Sequence, residues 1–238
     1  MNRVTVIQKI IRRVNARVYL EIGIQQGKCF LEIKAPKKMG VDPSFSIGPI
    51  RKLIFHLLNI RNFFNEYYAM TSDDFFRAKS DVLKQGGLDV VFIDGLHTYG
   101  QTLKDVNNSL EYLNKGGVIV MHDCNPRSAT IAHPANSFEH AESMHLPDWT
   151  KEWCGDVWKT VVHLRASRSD LNIFVLDCDC GLGIITKAAP ENTLKYSAQE
   201  LRNLSYGDLE KDRINILNLK DQKYFKGFIK TLKPILKS

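Results

Sequence analysis

Four side chains that can transfer a proton or bind a cation follow two apolar stretches of this sequence: Asp94, His97, His122 and Asp123. The first two come after residues 88–93, and the other two come directly after residues 118–121. Short apolar runs of this kind are typical of buried strands. In open α/β sheets, ligands bind at the carboxyl ends of the strands. An acid and an imidazole at such an edge can therefore perform acid–base chemistry or hold a metal ion.

A glycine-containing turn follows an earlier apolar stretch, residues 18–22. The pattern there is Glu21-x-Gly23-x-x-x-Gly27, and glycine allows the backbone to approach a ligand closely. Asp42 ends the next apolar stretch, roughly 20 residues beyond the turn, where an acid can bind the two hydroxyls of a ribose. Together these features indicate a site for an adenosine-type nucleoside.

The form of this turn separates two classes of nucleotide site. The pattern Gly-x-Gly-x-x-Gly, which binds a pyrophosphate, is absent from the sequence. An acid close to the ligand and few free amides favour a cationic or neutral nucleoside over a dinucleotide. A nicotinamide-dependent oxidoreductase on a related sheet is therefore the less favoured alternative.

Strands and helices alternate along most of the chain. We predict strands at residues 18–22, 39–41, 66–70, 88–93 and 118–121, followed by a closing β-hairpin from residues 171–176 and 183–186. Helical patterns separate the strands, for example at residues 98–113. Such alternation is typical of an α/β fold with a doubly wound parallel sheet.

Two segments between these elements are expected to border a site. Residues 45–65 carry apolar side chains at helical intervals, which predicts a helix or lid whose apolar stripe packs in the core. Residues 127–154 form a long irregular insert, and such inserts are often active-site lids. The insert contains three histidines whose spacing fits no tight metal motif: His133, His140 and His145.

The two ends of the chain combine basic residues with helical patterns. Residues 1–17 carry apolar and basic side chains at helical spacing, which indicates an amphipathic helix rather than a signal peptide. The net charge is +7, and residues 190–238 supply many of the excess lysines: Lys220, Lys223, Lys226, Lys230, Lys233 and Lys237. A solvated helical face explains these lysines, and peripheral contact with a membrane or another anionic surface is the alternative. No nucleic-acid partner is expected, because no nucleic-acid-binding motif accompanies the charge.

The five cysteines are an odd number and lack the spacing of a disulfide framework. Reduced thiols and a cytoplasmic location are therefore expected. Cys178 and Cys180 lie in an apparent strand, where alternate side chains share one face. Packing in the core is the favoured role of this pair. A zinc site is the alternative, although no second cysteine pair of suitable spacing accompanies it.

Four motifs occur in the order and at the spacing found in a known enzyme family: Glu21-Ile22-Gly23-x-x-x-Gly27, Val41-Asp42-Pro43-Ser44, Phe92-Ile93-Asp94-Gly95-x-His97-x-Tyr99 and Gly116-Gly117-x-Ile119-x-x-His122-Asp123. Together they resemble the class I S-adenosylmethionine-dependent methyltransferases. The most similar branch is that of the bacterial small-molecule and sugar O-methyltransferases with a Phe-Ile-Asp-Gly-x-His signature. The resemblance divides the chain into an amphipathic helix (residues 1–17), a methyltransferase domain with the insert as its lid (residues 18–189) and a basic helical extension (residues 190–238).

The resemblance implies a Rossmann-like α/β fold with helices on both faces of a doubly wound, seven-stranded sheet, mostly parallel but with an antiparallel last strand. It implies that S-adenosylmethionine binds at the strand ends, near Glu21, Gly23, Gly27, Asp42, Ser72, Asp73 and Asp94. The two glycines would shape the pocket for the methionine part, and Asp42 would hold the ribose hydroxyls. Ser72 and Asp73 would lie near the adenine, although a role in capping the helix that they begin explains them equally well.

Several related O-methyltransferases bind a divalent cation through acids at the ends of the fourth and fifth strands. The matching residues here are Asp94 and Asp123, with His122 as a further candidate ligand, and Mg²⁺ is the cation that the resemblance suggests. Cys124 stands where catechol-type relatives have an asparagine, and a thiol is a poor ligand for a hard cation. Metal dependence therefore stays open.

Methyl transfer from a sulfonium to an oxygen needs an aligned nucleophile and removal of its proton. His97 can serve as the base with Asp94 beside it, or a cation on Asp94 and Asp123 can lower the pKa of the hydroxyl. The simpler interpretations are that Asp94 caps the next helix and that His97 is a packed polar residue.

We predict an S-adenosylmethionine-dependent O-methyltransferase that acts on a hydroxyl of a small molecule or a sugar, with homo-oligomers compatible with the sequence. The non-enzymatic alternative is a cofactor-binding module that binds a partner or a membrane through its basic tail.

Overall fold

The computed structural model describes residues 1–236, so Lys237, one of the C-terminal lysines named above, lies outside the described residues. The described part contains eight strands: β1 Val18–Ile22, β2 Lys37–Val41, β3 Glu66–Tyr68, β4 Leu88–Ile93, β5 Leu113–Met121, β6 Asn172–Leu176, β7 Leu182–Thr186 and β8 Leu219–Lys220.

The same residues contain ten α-helices: α1 Arg3–Val14, α2 Pro49–Leu58, α3 Ser72–Ala78, α4 Ser80–Gly86, α5 Tyr99–Tyr112, α6 Phe138–Ser143, α7 Trp158–Ser167, α8 Ala198–Asn203, α9 Tyr206–Leu217 and α10 Gln222–Thr231. A 3₁₀ helix, Ile60–Phe64, follows α2. Among the described helices, none combines the length and the apolar character needed to cross a bilayer.

The chain folds into two compact units. The first comprises Met1–Gly95, Asp105–Val120 and the residues from Gly227 onward. The second comprises Leu96–Lys104 and Met121–Lys226.

Parallel strands form the sheet of the first unit, in the order β3-β2-β1-β4-β5. The pairs β1–β2, β1–β4 and β2–β3 are all parallel. Ile22 pairs with Val41 on one side and with Ile93 on the other. The three strands β1, β2 and β4 therefore end level, and the turns that follow them emerge at one edge of the sheet. This arrangement confirms the predicted α/β architecture.

Helix α1 is the amphipathic helix predicted within residues 1–17. Asn2 caps its N-terminus, because its side chain accepts a hydrogen bond from the backbone N–H of Thr5 at 3.0 Å. The buried face packs against β4 and consists of Val6, Ile7, Ile10, Ile11 and Val14. At the other end of α1, the carbonyl of Val14 accepts a hydrogen bond from the N–H of Ile235 at 2.7 Å. The C-terminal residues thus help to hold this helix in the first unit.

The apolar stripe of residues 45–65 does not pack in the core, which corrects the expectation stated above. Helix α2 and the 3₁₀ helix occupy residues 49–64, and no residue of α2 is buried. Eight large apolar side chains here are 48–76% exposed: Ile50, Leu53, Ile54, Leu57, Leu58, Ile60, Phe63 and Phe64. Helical spacing predicts an apolar face but does not determine whether the fold supplies a surface to cover it. We call residues 49–64 the exposed apolar segment.

The strands of the second unit lie in the order β7-β6-β8. β6 and β7 pair antiparallel, with Phe174 opposite Ile184, which confirms the predicted hairpin and its antiparallel strand. β8 pairs parallel with β6, so the described residues hold eight strands rather than the seven expected. Two paired residues leave no detectable strand pattern in a segment whose sequence is otherwise helical in character.

Cys178 and Cys180 lie in the turn between β6 and β7, which corrects their assignment to a strand. Asp179 and Cys180 have left-handed φ angles of 50° and 59°, and Gly181 follows with a φ of 86°. Both thiols are partly exposed, so the pair does not pack in the core as a strand face would. The Asp-Cys-Gly sequence supplies residue types that tight turns favour, but the apolar strands on either side obscured this signal.

Candidate active site

The turn after β1 begins at Gly23, where only glycine fits. Its φ of +86° is left-handed, and a Cβ atom there would lie 1.9 Å from the main-chain oxygen of Asp94. The N–H of Gly23 donates to the carbonyl of Val41 at 2.8 Å. Gly27 is also left-handed, with a φ of +66°. The first glycine therefore allows the turns after β1 and β4 to touch, which a side chain would prevent.

Asp42 connects the glycine turn to the turn after β2. Its Oδ2 accepts a hydrogen bond from the N–H of Gln25 at 2.8 Å, and its Oδ1 accepts one from the N–H of Ser44 at 2.8 Å. Each carboxylate oxygen can accept more than one hydrogen bond. The partly exposed side chain therefore keeps the capacity to accept from two neighbouring hydroxyls as well.

Glu21, the penultimate residue of β1, is 1% exposed. Its carboxylate accepts a hydrogen bond from the hydroxyl of Tyr19. Burial raises the pKa of Glu21 to about 7; the bond from Tyr19 lowers this pKa and the charge of Asp94 raises it. Glu21 therefore supports the glycine turn from within the sheet and does not line an exposed surface.

Ser72 and Asp73 begin α3, the helix that follows β3. The cap of this helix is Thr71, whose hydroxyl accepts a hydrogen bond from the N–H of Asp74 at 3.2 Å. The cap bond therefore involves neither Ser72 nor Asp73. β3 pairs with β2 so that Tyr68 lies opposite Val41, which places the start of α3 after the same edge of the sheet as Asp42.

Asp94 forms an ion pair with Arg3, the first residue of α1. The guanidinium Nη1 lies 2.6 Å from Oδ2 of Asp94, and the Asp94 side chain is 17% exposed. Nothing in the sequence indicated this pair, because 91 positions separate its members. Arg3 therefore neutralises the acid that the sequence motif presents at the end of β4.

In the second unit, Nδ1 of His97 faces two groups that can only accept hydrogen bonds. The carbonyl oxygen of Trp153 lies 2.7 Å from Nδ1, and Oδ2 of Asp123 lies 3.2 Å from it. Nδ1 must therefore carry the hydrogen, and in the neutral ring the lone pair is on Nε2. The imidazole also stacks on the indole of Trp153, with ring centroids 5.4 Å apart. These contacts hold the ring in one tautomer and one orientation.

The other oxygen of Asp123 faces a histidine and a thiol. Nδ1 of His122 lies 3.0 Å from Oδ1, and the thiol of Cys154 donates to Oδ1 at 3.1 Å. The thiols of Cys154 and Cys180 also interact, which lowers the pKa of Cys180 to about 7 and raises the pKa of Cys154. Asp123 is only 4% exposed. One buried carboxylate thus connects His97 to a pair of thiols.

These surroundings do not suit a hard cation such as Mg²⁺, which prefers an octahedron of oxygen ligands. An arginine faces Asp94, and a thiol faces Asp123. Cys124 follows the second acid directly, and its fully buried thiol points to the carbonyl of His122 at 3.4 Å. We therefore derive no step of the reaction through magnesium.

The segment that positions His97 is residues 153–156, whose role the sequence did not reveal. Gly155 has a φ of +57°, and a Cβ atom there would lie 1.9 Å from the carbonyl oxygen of His97. Oδ1 of Asp156 accepts a hydrogen bond from the N–H of Tyr99 at 2.6 Å. The glycine before an acid at the start of α7 was a local signal, but only the fold shows what it contacts.

Comparisons with known proteins agree with this geometry. Residues 20–124 match the model of a methyltransferase domain family. The structure is similar to the O-methyltransferase TomG from Streptomyces achromogenes in complex with SAM, with a TM-score of 0.56, 14% identity and coverage of 79% of this chain and 80% of that one. It is also similar to an O-methyltransferase from Bacillus cereus in complex with SAH, with a TM-score of 0.53, 14% identity and coverage of 78% and 80%.

Part of this chain thus matches a methyltransferase domain family, and these similar solved structures are O-methyltransferases. Its fold is the Rossmann-like fold of those enzymes, as the sequence motifs predicted. Among curated proteins, an uncharacterized protein of Acanthamoeba polyphaga mimivirus, R132, is 31% identical over 116 residues. That match covers 44% of this chain and 50% of the viral protein, so the chain spans half the length of this relative.

Proposed function

We propose that this methyltransferase domain transfers a methyl group from S-adenosylmethionine to a hydroxyl of a small molecule or a sugar. The observation that carries the proposal is the hydrogen-bonded arrangement of His97. Its Nδ1 is occupied by the carbonyl of Trp153 and by Asp123. In the neutral ring the basic nitrogen is then Nε2, and we infer that it takes the proton of an acceptor hydroxyl.

The turns after β1, β2 and β3 carry the residues that we assign to the cofactor. Asp42 offers its carboxylate to the ribose hydroxyls, and the glycine turn at Gly23 and Gly27 gives the methionine part close access to the backbone. Ser72 and Asp73, which begin the helix after β3, are the residues that we place near the adenine. When bound, S-adenosylmethionine supplies an electrophilic methyl group on a sulfonium.

His97 is the base in this proposal. His97 takes the hydroxyl proton on Nε2, and the resulting imidazolium is stabilised by the carboxylate of Asp123 at 3.2 Å from Nδ1. The stacked indole of Trp153 keeps the ring from rotating. The acceptor oxygen gains nucleophilicity as its proton leaves, and no metal ion is needed for this step.

The decisive test compares cofactor binding with turnover in the purified full chain. We expect calorimetry to show S-adenosylmethionine binding, and a panel of small-molecule and sugar alcohols to include an acceptor that is methylated. His97→Ala should keep the cofactor affinity and lower turnover by about 100- to 10,000-fold. His140→Ala, which changes an exposed histidine of the insert, serves as the matched control. Absence of cofactor binding would overturn the proposal, and full turnover in His97→Ala would remove His97 from the mechanism.

We also propose that the C-terminal lysines contact an anionic surface. Lys223, Lys226 and Lys230 are exposed on α10, whereas Lys220 is ion-paired with Glu191 at 2.8 Å. Co-sedimentation with anionic lipid vesicles should fall when the three exposed lysines are changed to glutamine and should not fall for Lys220→Gln. Equal sedimentation of both variants and the parent chain would contradict this role.

A further inference from the structure

Three potential metal ligands of the second unit converge on one point. The carboxylate of Asp123 and the thiols of Cys154 and Cys180 place one ligand atom each within 4.8 Å of one another. Asp123 and Cys154 are 4% and 2% exposed, and Cys180 is partly exposed. We propose that these three side chains form a binding site for a thiophilic divalent cation of the zinc class.

The backbone holds the three ligands in place without a cation. The turn that carries Cys180 is fastened to the residues after Asp123, because the N–H groups of Cys124 and Asn125 donate to the carbonyls of Gly181 and Cys180 at 3.0 and 2.9 Å. A Cβ atom on Gly181 would lie 2.3 Å from the backbone nitrogen of Asn125, so any side chain at this position would push the two segments apart. The site is therefore preorganised, which reduces the entropy lost on binding.

The position of Cys154 is fixed in the same way. Its N–H donates to the carbonyl of Ile131 at 2.9 Å, and its neighbours are Trp153, whose carbonyl faces His97, and the left-handed Gly155. A cation on Cys154 would therefore also clamp the segment that orients His97.

The spacing of Cys154 and Asp123 suits a tetrahedral cation whose fourth ligand is water. Zinc bonds to sulfur and oxygen at about 2.3 and 2.0 Å, which separates two ligand sulfurs by about 3.8 Å and a sulfur from an oxygen by about 3.5 Å. Sγ of Cys154 lies 3.1 Å from Oδ1 of Asp123, so this pair has to separate by only about 0.4 Å. The sulfur–oxygen hydrogen bond is then replaced by two metal bonds.

The net charge of the site does not change when a divalent cation binds. Both thiols release their protons to solvent, and the two new negative charges offset the two positive charges of the cation. His122 lies beside the ligating carboxylate, with Nδ1 3.0 Å from Oδ1 of Asp123. Two sulfur ligands select zinc-class cations over magnesium, which accounts for the poor fit to a hard cation described above. The proposal stands whether or not the domain transfers a methyl group.

The test uses Co²⁺, a coloured substitute for zinc, on the full chain kept reduced and stripped of metal by a chelator. We expect one Co²⁺ per chain, with a thiolate-to-metal charge-transfer band and the intense visible bands of a tetrahedral site. One equivalent of Zn²⁺ should displace the Co²⁺. Cys180→Ser and Cys154→Ser should each weaken binding by at least about 100-fold and reduce the charge-transfer band.

Cys178→Ser is the matched control, since Cys178 lies in the same turn and is outside the ligand set. It should bind Co²⁺ as the parent chain does. Circular dichroism checks folding, and because Cys180 is partly exposed, Cys180→Ser remains informative if Cys154→Ser does not fold. Three results would overturn the proposal: Co²⁺ binding without a thiolate band, the same affinity in Cys180→Ser as in the control, or a Cys154–Cys180 disulfide in protein isolated under reducing conditions.

Discussion

The carbonyl oxygen of Trp153 lies 2.7 Å from Nδ1 of His97 and decides which nitrogen of that ring is basic. A main-chain carbonyl cannot change its protonation state, so it imposes the tautomer more firmly than a side chain would. Asp123 lies at the same nitrogen and provides the negative charge that stabilises the protonated ring. Orientation and charge thus come from two different groups.

Gly155→Ala tests whether the segment next to Trp153 positions His97. A Cβ atom at this site would lie 1.9 Å from the carbonyl of His97, and the φ of +57° is strained for alanine. We expect turnover to fall more than 10-fold, the order of loss that displaced catalytic groups show, while S-adenosylmethionine affinity is unchanged. Gly100→Ala, where a Cβ atom meets nothing within 4 Å, is the control. Normal turnover in Gly155→Ala would show that residues 153–156 are not needed to position His97.

Gly23→Ala tests the cofactor turn. The new methyl group would overlap the main-chain oxygen of Asp94 at 1.9 Å and force the turns after β1 and β4 apart. We expect loss of detectable S-adenosylmethionine binding by calorimetry and a loss of stability on the order of 1–3 kcal/mol from the left-handed φ alone. The same control, Gly100→Ala, should retain cofactor binding and the stability of the parent chain. If Gly23→Ala keeps its affinity for the cofactor, this turn is not part of the binding site.

Glu21 should make stability depend on pH. Its pKa in the folded chain is about 7, above the ordinary value of 4.5, so between these values the folded state keeps a proton that the unfolded state has lost. The folded chain is therefore most stable, as far as Glu21 is concerned, below about pH 4.5. Its free energy of unfolding falls by up to about 3 kcal/mol as the pH rises to about 7, and Glu21 causes no further change above that pH.

Urea denaturation across this interval measures the effect. Glu21→Gln, which keeps the shape but does not titrate, should lose the downward slope, so that the stability difference between variant and parent changes with pH. Parallel curves for the two proteins would mean that Glu21 does not hold a proton in the folded state.

Magnesium should not stimulate the reaction. The guanidinium of Arg3 lies 2.6 Å from Asp94 and the thiol of Cys154 lies 3.1 Å from Asp123, so neither acid presents the oxygen-only surroundings that Mg²⁺ requires. We expect turnover to be the same when Mg²⁺ is added to chain whose thiols are kept reduced. A rise in turnover that saturates with Mg²⁺ would show that the acids rearrange to bind it.

The strands that carry the site could be predicted because each is a short apolar run ended by a polar residue. β1 and β4 have the predicted bounds, Val18–Ile22 and Leu88–Ile93. The glycine turn was also predictable from residue type, because a left-handed φ favours glycine.

Contacts between distant residues were not predictable. Arg3 and Asp94 are 91 positions apart, and Cys154 lies 31 positions from Asp123. Neither pair alters the spacing of apolar residues in its own segment. That spacing indicates which face of a helix or strand is buried, but it does not indicate which distant residue contacts that face. The tautomer of His97 depends on such a contact, with Trp153 56 positions away.

The exposed apolar segment has a consequence for how the protein behaves in solution. Its eight side chains form an apolar surface of the kind that drives self-association as concentration rises. The same segment contains three cations and no acid, and repulsion between these like charges opposes the association when the salt concentration is low. Leu57, at 76% exposed, can be changed to lysine at little cost to the fold, and light scattering should then show colloidal stability at higher protein concentrations.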